Sequence, residues 1–176
     1  MSKNVVTVFG TGRARPGESV FILAEQLGRE LAQAGFVIAN GGYGGTMLAT
    51  AKGAVEAGGT VIGVTCSAFG SSVANEYVTR EVVTGSLDER LQNLIKAGCA
   101  YVVLPGGTGT LLELAAVWEL KNKKFLDRRK PIVLLGEFWR PLTELVCQDD
   151  PRSVESIVFA DSPTQAVALI RQALQK

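Results

Sequence analysis

Short apolar runs alternate with amphipathic stretches along most of the chain. The runs predict six buried strands, because continuous β-branched and aliphatic residues are typical of strands covered on both faces. These strands are predicted at residues 5–9, 36–38, 60–64, 101–104, 131–135 and 157–159. Apolar residues at helical spacing predict helices at about residues 19–34, 87–97, 110–121, 138–147 and 163–175. A further helix is predicted to follow the glycine-rich turn at 40–47 and to end at about residue 56. The alternation predicts an α/β fold: a Rossmann-like, doubly wound, mostly parallel sheet with helices on both faces.

Capping signals support two of these helices. Ser86 and Glu89 form a capping box at the start of one helix, and Ser162 and Gln165 form another at the start of the last. Residues 65–80, in contrast, are predicted to form an irregular connection. Loops of that length are often functional.

The stretch at residues 100–113 has a glycine-rich turn between a predicted strand and a predicted helix. This turn comprises Pro105, Gly106, Gly107, Thr108, Gly109 and Thr110. Glycine has no Cβ, so its backbone amides are open to a ligand. The unpaired N–H groups and the dipole at the start of the next helix favour an anion such as phosphate, and the threonines add hydroxyl donors. An ordinary capping box from Thr110 to Glu113 fits the same residues, so both interpretations stay open at this point.

Two further glycine-rich turns follow the first and second predicted strands. The first comprises Gly10, Thr11 and Gly12, and the second runs from residue 40 to residue 47 with Gly42, Gly45, Thr46 and Met47. The carboxyl ends of strands in such a sheet converge on one crevice, where these turns can face one ligand. The dinucleotide-binding fingerprint is incomplete, because Arg15 replaces its third glycine and Asn40 its ribose-binding acid. A dinucleotide dehydrogenase is therefore not expected.

Composition narrows the class of protein further. The 176 residues carry 18 basic and 17 acidic side chains, a net charge of +1, which gives no indication of a nucleic-acid partner. This length predicts a single domain over residues 1–176. No apolar stretch is long enough to cross a membrane, and the start of the chain leads directly into a strand, so a cytoplasmic location is expected. Cys66, Cys99 and Cys147 are predicted to be free thiols.

The chain contains no histidine, which excludes a Ser-His-Asp triad and an imidazole-bound metal. Carboxylates, lysines, arginines and hydroxyls are left for chemistry.

Arg90 lies in a predicted helix, where an arginine is ordinarily solvated or ion-paired. Trp118 is predicted to pack in the core or an interface, and residues 121–130 form a basic, solvated turn. Pyridoxal-phosphate chemistry is not expected, because no Schiff-base lysine with organised ring partners is visible.

Three segments together resemble the LONELY GUY (LOG) family. They are Asn-Gly-Gly-Tyr-Gly-Gly-Thr-Met at 40–47, Glu-Arg at 89–90, and Pro-Gly-Gly-Thr-Gly-Thr-Leu-Leu-Glu at 105–113. The resemblance implies a nucleoside 5'-monophosphate phosphoribohydrolase acting on a cytokinin riboside monophosphate or AMP. It also implies a homodimer with sites near the interface, with no cofactor and no metal. Leu91 and Leu112 depart from the family pattern, which usually has a lysine and a second glutamate there, as do Asn40 and Leu48 from glycines.

Carried over by position, the resemblance implies a catalytic pair, Arg90 and Glu113, beside a phosphate cradle at residues 106–110. Glu113 is expected in the first turn of its helix, where the dipole favours the ionised carboxylate. An ionised carboxylate beside C1' stabilises the positive charge that develops on the ribose. The alternative is a non-catalytic carrier of LOG-like fold that binds a nucleotide or the molybdenum cofactor.

Overall fold

The computed structural model describes residues 4–70 and 73–175, which are organised around a parallel sheet. Its strands are β1 (Val5–Phe9), β2 (Val37–Asn40), β3 (Val61–Cys66), β4 (Arg80–Thr84), β5 (Ala100–Val103), β6 (Ile132–Leu135) and β7 (Ile157–Ala160). In the described chain these seven strands lie in the order β4-β3-β2-β1-β5-β6-β7 and pair in parallel throughout. The predicted Rossmann-like α/β fold is therefore confirmed.

Helices cover both faces of the sheet. They are α1 (Ser19–Gln33), α2 (Thr46–Glu56), α3 (Leu87–Ala97), α4 (Thr108–Asn122), α5 (Arg140–Asp149) and α6 (Pro163–Leu174). One apolar cluster lies between the sheet and α1, α2 and α6, and a second lies between the sheet and α3, α4 and α5. The two predicted capping boxes are confirmed, since the hydroxyls of Ser86 and Ser162 accept from the amides of Glu89 and Gln165.

Strand β5 lies at the centre of the sheet and contributes to both apolar clusters. Val102 packs in the cluster beneath α1, whereas Tyr101 and Val103 pack beneath α4, and all three are fully buried. The strand order reverses between β1 and β5, so the connections that leave these two strands diverge to opposite faces. A crevice opens between them at the carboxyl edge, which is where α/β sheets bind ligands.

Strand β4 was not predicted: only Arg80 lies in the connection expected at 65–80, and no element was predicted for residues 81–84. It pairs with β3 from Ile62 opposite Arg80 to Cys66 opposite Thr84. As an edge strand it leaves Arg80, Glu81 and Val83 exposed, and therefore lacks the continuous apolar pattern of the central strands. Between the two strands a short 3₁₀ helix, Ser67–Phe69, follows β3 directly.

Several side-chain predictions can be compared with the structure. Trp118 is buried as predicted, and its indole N–H donates to the carbonyl of Ser153 at 2.9 Å. The three cysteines are free thiols, with Cys66 buried and Cys99 and Cys147 partly buried. Within the described residues, no helix is long and apolar enough to span a membrane.

Candidate functional site

A cleft of about 700 Å³ opens at the carboxyl edge of the sheet, at the reversal between β1 and β5. Nine of the predicted site residues line it: Gly10, Thr11, Met47, Arg90, Gly107, Thr108, Gly109, Thr110 and Glu113. The structure therefore brings together the turns that follow β1, β2 and β5 with Arg90 of α3 and Glu113 of α4. This convergence agrees with the prediction that the glycine-rich turns face one crevice.

The glycine-rich turn after β5 leads into α4 earlier than predicted. The helix was predicted to begin at about Thr110, but it begins at Thr108 with Gly107 as its N-cap. The alternative of a capping box from Thr110 to Glu113 is therefore excluded. Thr110 is instead buried inside the first turn, where its side chain packs against Gly106. Thr108 and Gly109 are exposed, and the first amides of the helix point toward the cleft from its end. This end of the cleft is suited to an anion.

The turn after β1 is fixed to its neighbours through backbone bonds. The amide of Thr11 donates to the carbonyl of Pro105 at 3.2 Å, and the carbonyl of Thr11 accepts from the amide of Thr46 at 2.8 Å. The hydroxyl of Thr46 donates to the same carbonyl at 3.0 Å. These bonds connect all three glycine-rich turns into one wall.

Five predicted site residues belong to the turns that form this wall but do not line the cleft, namely Gly42, Gly45, Thr46, Pro105 and Gly106. Thr46 is buried at the start of α2. Asn40 is also buried and supports the wall, because its amide group accepts from the N–H of Gly42 and donates to the carbonyl of Met47. The structure gives these residues contacts that shape the turns.

Arg90 is buried in the floor of the cleft, with only 8% of the residue exposed, although an exposed position is usual for a helical arginine. Its Nε donates to the carbonyl of Val64 at 2.8 Å and its Nη2 to the carbonyl of Gly41 at 3.2 Å. The guanidinium thus joins the ends of β3 and β2 and has a fixed orientation. Its remaining nitrogen, Nη1, lies 3.8 Å from Oε1 of Glu113.

Space for the guanidinium depends on a residue without a side chain. A Cβ at Gly41 would overlap Nη2 of Arg90 and would lie 2.6 Å from the sulfur of Met47. Gly41 therefore positions Arg90. Local sequence patterns could not indicate this role, because the two residues are 49 positions apart.

Glu113 lies opposite Arg90 with 14% of its side chain exposed. Burial raises its pKa to about 7, and the charge of Arg90 offsets only part of this effect. The predictions that Glu113 lies in the first helical turn and that its surroundings favour the ionised carboxylate are therefore wrong. Because α4 begins at Thr108, Glu113 lies in the second turn, where the dipole has less effect. Both protonation states of Glu113 are populated near neutral pH.

This raised pKa predicts a pH-dependent stability. Folding favours the protonated carboxyl, so the contribution of Glu113 is present below pH 4.5 and is lost as pH rises to about 7. Glu113→Gln does not titrate. Its free energy of unfolding relative to the wild type should therefore rise by up to about 3 kcal/mol between pH 4.5 and pH 8. Urea denaturation at both pH values measures the difference.

Glu119→Gln is the matched control, since it removes a carboxylate from the same helix that is 62% exposed. We expect its stability relative to the wild type to be the same at both pH values. An equally flat result for Glu113→Gln would contradict the raised pKa.

The opposite end of the cleft is aromatic and apolar. The ring of Tyr43 lies 5.5 Å and the ring of Phe69 lies 5.7 Å from Cζ of Arg90, and the two rings are 6.0 Å apart. The hydroxyl of Tyr43 accepts from the amide of Cys66 at 2.7 Å, which holds the ring in place. Leu87 lies on the same cleft. The cleft thus has a glycine-rich end suited to an anion, a charged centre and an apolar end.

Five lining residues were not among the predicted site residues: Gly12, Arg13, Tyr43, Phe69 and Leu87. Tyr43 lies inside the motif at 40–47 and Gly12 inside the first turn, so the motifs themselves could have indicated both. Phe69 lies in the connection predicted to be irregular, where its position could not be derived from periodicity. Among the described residues, no group of three or more acidic, cysteine or histidine side chains is placed to hold a metal ion.

The fold and the cleft define a class of protein: a Rossmann-like α/β protein whose ligand cleft combines a glycine-rich helix start with a buried arginine and glutamate. The chain belongs to the SLOG cluster4 family, whose family model matches residues 3–167. Membership of a LOG-like family, predicted from the three motifs, is confirmed.

Two kinds of relative are similar to this chain. The cytokinin riboside 5'-monophosphate phosphoribohydrolase of Rhodococcoides fascians is 32% identical over 146 residues, which cover 80% of this chain and 73% of that protein. The molybdenum cofactor binding protein of the phototrophic bacterium Rippkaea orientalis has a TM-score of 0.80 at 28% identity, over 98% of both chains. The molybdenum cofactor carrier protein of Chlamydomonas reinhardtii has a TM-score of 0.79 at 30% identity, over 98% of this chain and 99% of that one.

Proposed function

We propose that the chain is a nucleoside 5'-monophosphate phosphoribohydrolase. It hydrolyses the N-glycosidic bond and releases a free base and ribose 5-phosphate. The observation that carries this proposal is the buried pair of Arg90 and Glu113, 3.8 Å apart in the cleft that also holds the glycine-rich start of α4. The name of the Rhodococcoides fascians relative supports the same reaction.

The phosphate of the substrate binds at the glycine-rich end of the cleft. The exposed residues Gly107, Thr108 and Gly109 supply backbone amides and one hydroxyl, and the start of α4 adds its dipole. Nothing lies within 4 Å of a Cβ added at Gly107 or Gly109, so a phosphate can approach this backbone closely. The ribose then extends toward Arg90 and Glu113, and the base toward the aromatic end.

Glu113 acts in its ionised form on the ribose. As the bond from C1' to the base lengthens, positive charge develops on the ribose ring, and a nearby carboxylate stabilises this charge more than it stabilises the ground state. Water then adds its oxygen to C1', one of its protons is released, and the departing base takes up a proton at the nitrogen that left. Reduced solvent access at Glu113 strengthens the electrostatic effect.

Arg90 orients the reacting groups. Its Nε and Nη2 are bound to backbone carbonyls, so Nη1 is the nitrogen directed at Glu113. We propose that Nη1 binds the phosphate or a ribose hydroxyl when the substrate enters. A planar guanidinium held from two sides loses little freedom on binding.

Incubation with a panel of nucleotides tests the proposal. The purified protein is mixed with AMP, other nucleoside monophosphates and an isopentenyl-adenine riboside monophosphate, and chromatography follows the free base and ribose 5-phosphate. Equal amounts of both products from at least one nucleotide are expected. The relative rates identify the base, and release of no base from any member of the panel would overturn the proposal.

Gly41→Ala is expected to lower kcat/KM by about tenfold to a hundredfold while the protein still folds. The new methyl group displaces the Arg90 guanidinium, and misplacement by about 1 Å can cost that much. Gly44→Ala is the matched control in the same turn, because its Cβ would meet only the carbonyl of Gly12 at 3.6 Å. Steady-state kinetics and thermal melting of both variants are the measurements. Equal kinetics for both variants would show that Gly41 does not position Arg90.

We also propose that the protein is a homodimer that pairs through α4. The outer face of this helix carries Leu111 and Leu112, and Leu112 is 44% exposed. These leucines lie directly beside the cleft residues Thr110 and Glu113 in sequence. A second copy of the chain that packs on this face would therefore bring the clefts of the two subunits close to the interface. The homodimer implied by the LOG resemblance supports this arrangement.

Leu112→Glu is accordingly expected to convert a dimer into monomers, since a buried unpaired carboxylate is costly at an apolar interface. Light scattering after gel filtration measures the mass. Leu145→Glu is the control, because Leu145 is 63% exposed on α5 and is not a cleft residue. A monomeric wild type, or a dimeric Leu112→Glu variant, would contradict pairing through α4.

A second candidate function is a non-catalytic carrier. It is favoured by the two molybdenum cofactor proteins, which match nearly the whole chain at 28% and 30% identity. The glycine-rich end of the cleft fits the phosphate of a pterin cofactor as well as that of a nucleotide. A carrier catalyses no reaction and therefore needs no carboxylate beside C1' of the ribose. Tight binding of AMP without turnover would favour this candidate.

A further inference from the structure

A second cleft, of about 620 Å³, lies at the opposite edge of the sheet. It is formed where the chain leaves α4 and approaches β6, and where it leaves α5 and approaches β7. Four basic residues line it: Lys121, Lys124, Arg128 and Arg152. The first three belong to the basic segment at 121–130, which the first cleft does not use.

The charge of this cleft exceeds that of the whole chain. Asp150 and Glu155 are its two acidic residues, so four positive and two negative groups leave an excess of two positive charges. The entire sequence has a net charge of only +1. In residues 4–70 and 73–175, the observed ion pairs involve none of Lys124, Arg128 and Arg152. Three cations thus face the cleft without a carboxylate partner in the described chain.

A buried hydroxyl adds an independent observation. Ser153 lines the cleft with 4% of the residue exposed, and its Oγ has no hydrogen-bond partner among the described residues. The backbone of Ser153 is fixed, because its carbonyl accepts from Trp118 and its amide donates to the carbonyl of Asp150. A buried hydroxyl without a partner is unfavourable. Since this oxygen atom is not exposed to the cleft, a ligand oxygen would satisfy it only after the Ser153 side chain rotates.

We infer that this second cleft binds a small oxyanion of the phosphate class, as the free ion or as the phosphate group of a metabolite. Arg128 and Arg152 supply planar forks that match phosphate geometry, and the hydroxyl of Ser153 donates to the same oxyanion after its side chain rotates toward the cleft. Helix α4 connects the two clefts, and its 15 residues span about 22 Å. A mononucleotide in the first cleft cannot reach the second, so the two sites are separate. This inference is independent of the proposed hydrolysis.

Amide chemical shifts of the ¹⁵N-labelled protein provide the test. Inorganic phosphate and AMP are titrated separately, with sodium chloride at equal ionic strength as a reference. We expect inorganic phosphate to produce saturable shifts at residues 121–124 and 152–156, apart from those at residues 107–110. AMP acting more strongly at the second cleft would identify a nucleotide as the ligand, and inorganic phosphate acting more strongly would identify the free ion. Equal shifts with chloride would overturn the inference.

Variants locate the binding. Arg128→Gln with Arg152→Gln removes two exposed guanidiniums and should weaken binding at the second cleft by about tenfold or more, while residues 107–110 respond as before. Ser153→Ala should also weaken it, which a merely structural serine would not do. Lys123→Gln, which removes an exposed charge outside the cleft, should leave the affinity unchanged. Equal affinity in all variants would contradict the site.

Discussion

Replacing Glu113 by glutamine is expected to slow base release from a nucleoside 5'-monophosphate by about a thousandfold. Glutamine keeps the size of the side chain but cannot carry the negative charge that stabilises the developing oxocarbenium ion, and the loss of such a group typically costs two to three orders of magnitude. The effect should appear in kcat more than in KM, because the charge acts in the transition state. Single-turnover kinetics with AMP measure it.

The pH profile separates two roles for the same carboxyl. If the ionised form acts, kcat/KM of the wild type rises with pH, is half-maximal near the pKa of Glu113, which is about 7, and levels off above it. Glu113→Gln should lack this rise, and Glu119→Gln, which alters an exposed residue of the same helix, should retain it. A wild-type rate that falls above pH 7 would show that Glu113 acts as a general acid instead.

Arg90→Lys is expected to lower kcat/KM by about a hundredfold or more, although it preserves the charge. Three separate nitrogens of Arg90 are directed at Val64, Gly41 and Glu113, and the single nitrogen of a lysine cannot take up all three positions. The ammonium should therefore lose its fixed orientation, and the melting temperature should also fall because two buried hydrogen bonds to a charged group are altered.

Arg29→Lys is the control for this substitution. Arg29 forms exposed ion pairs with Glu25 and Glu56, so the exchange there should change neither kinetics nor melting measurably. If Arg90→Lys retained wild-type kcat/KM, the guanidinium geometry would have no part in the reaction.

The central architecture could be predicted from the sequence, because the strands that build it are apolar on both faces. Tyr101, Val102 and Val103 are fully buried, and a continuous apolar run indicates such a strand. Strand β4 could not be predicted, because it lacks such a continuous apolar run. It is an edge strand whose charged residues Arg80 and Glu81 face solvent, and pairing with β3 determines its structure.

The protonation of Glu113 could not be predicted from its distance along the helix. The residues are compatible with a capping box at 110–113 and with a helix that begins at Thr108. Glu113 lies in the first helical turn in the first case and in the second turn in the other. Burial between α3 and α4 then raises the pKa more than Arg90 lowers it. Such a balance depends on tertiary packing, which local patterns do not report.

The burial of Arg90 is a tertiary effect of the same kind. Its partners Gly41 and Val64 come from the ends of two different strands, 49 and 26 positions away in sequence. The motifs were sufficient to predict that Arg90 and Glu113 meet in one cleft. The resemblance, and not the periodicity of α3, carried that prediction.

The most direct test of hydrolysis at this cleft compares turnover with binding in one pair of proteins. The wild type and Glu113→Gln are each given AMP, the free base is quantified by chromatography, and AMP-induced protection against thermal unfolding is measured in parallel. We predict that AMP protects both proteins and that the wild type alone releases adenine at a measurable rate. Protection of both proteins with no adenine from the wild type, and no base from the other nucleotides, would contradict the hydrolase and favour a carrier.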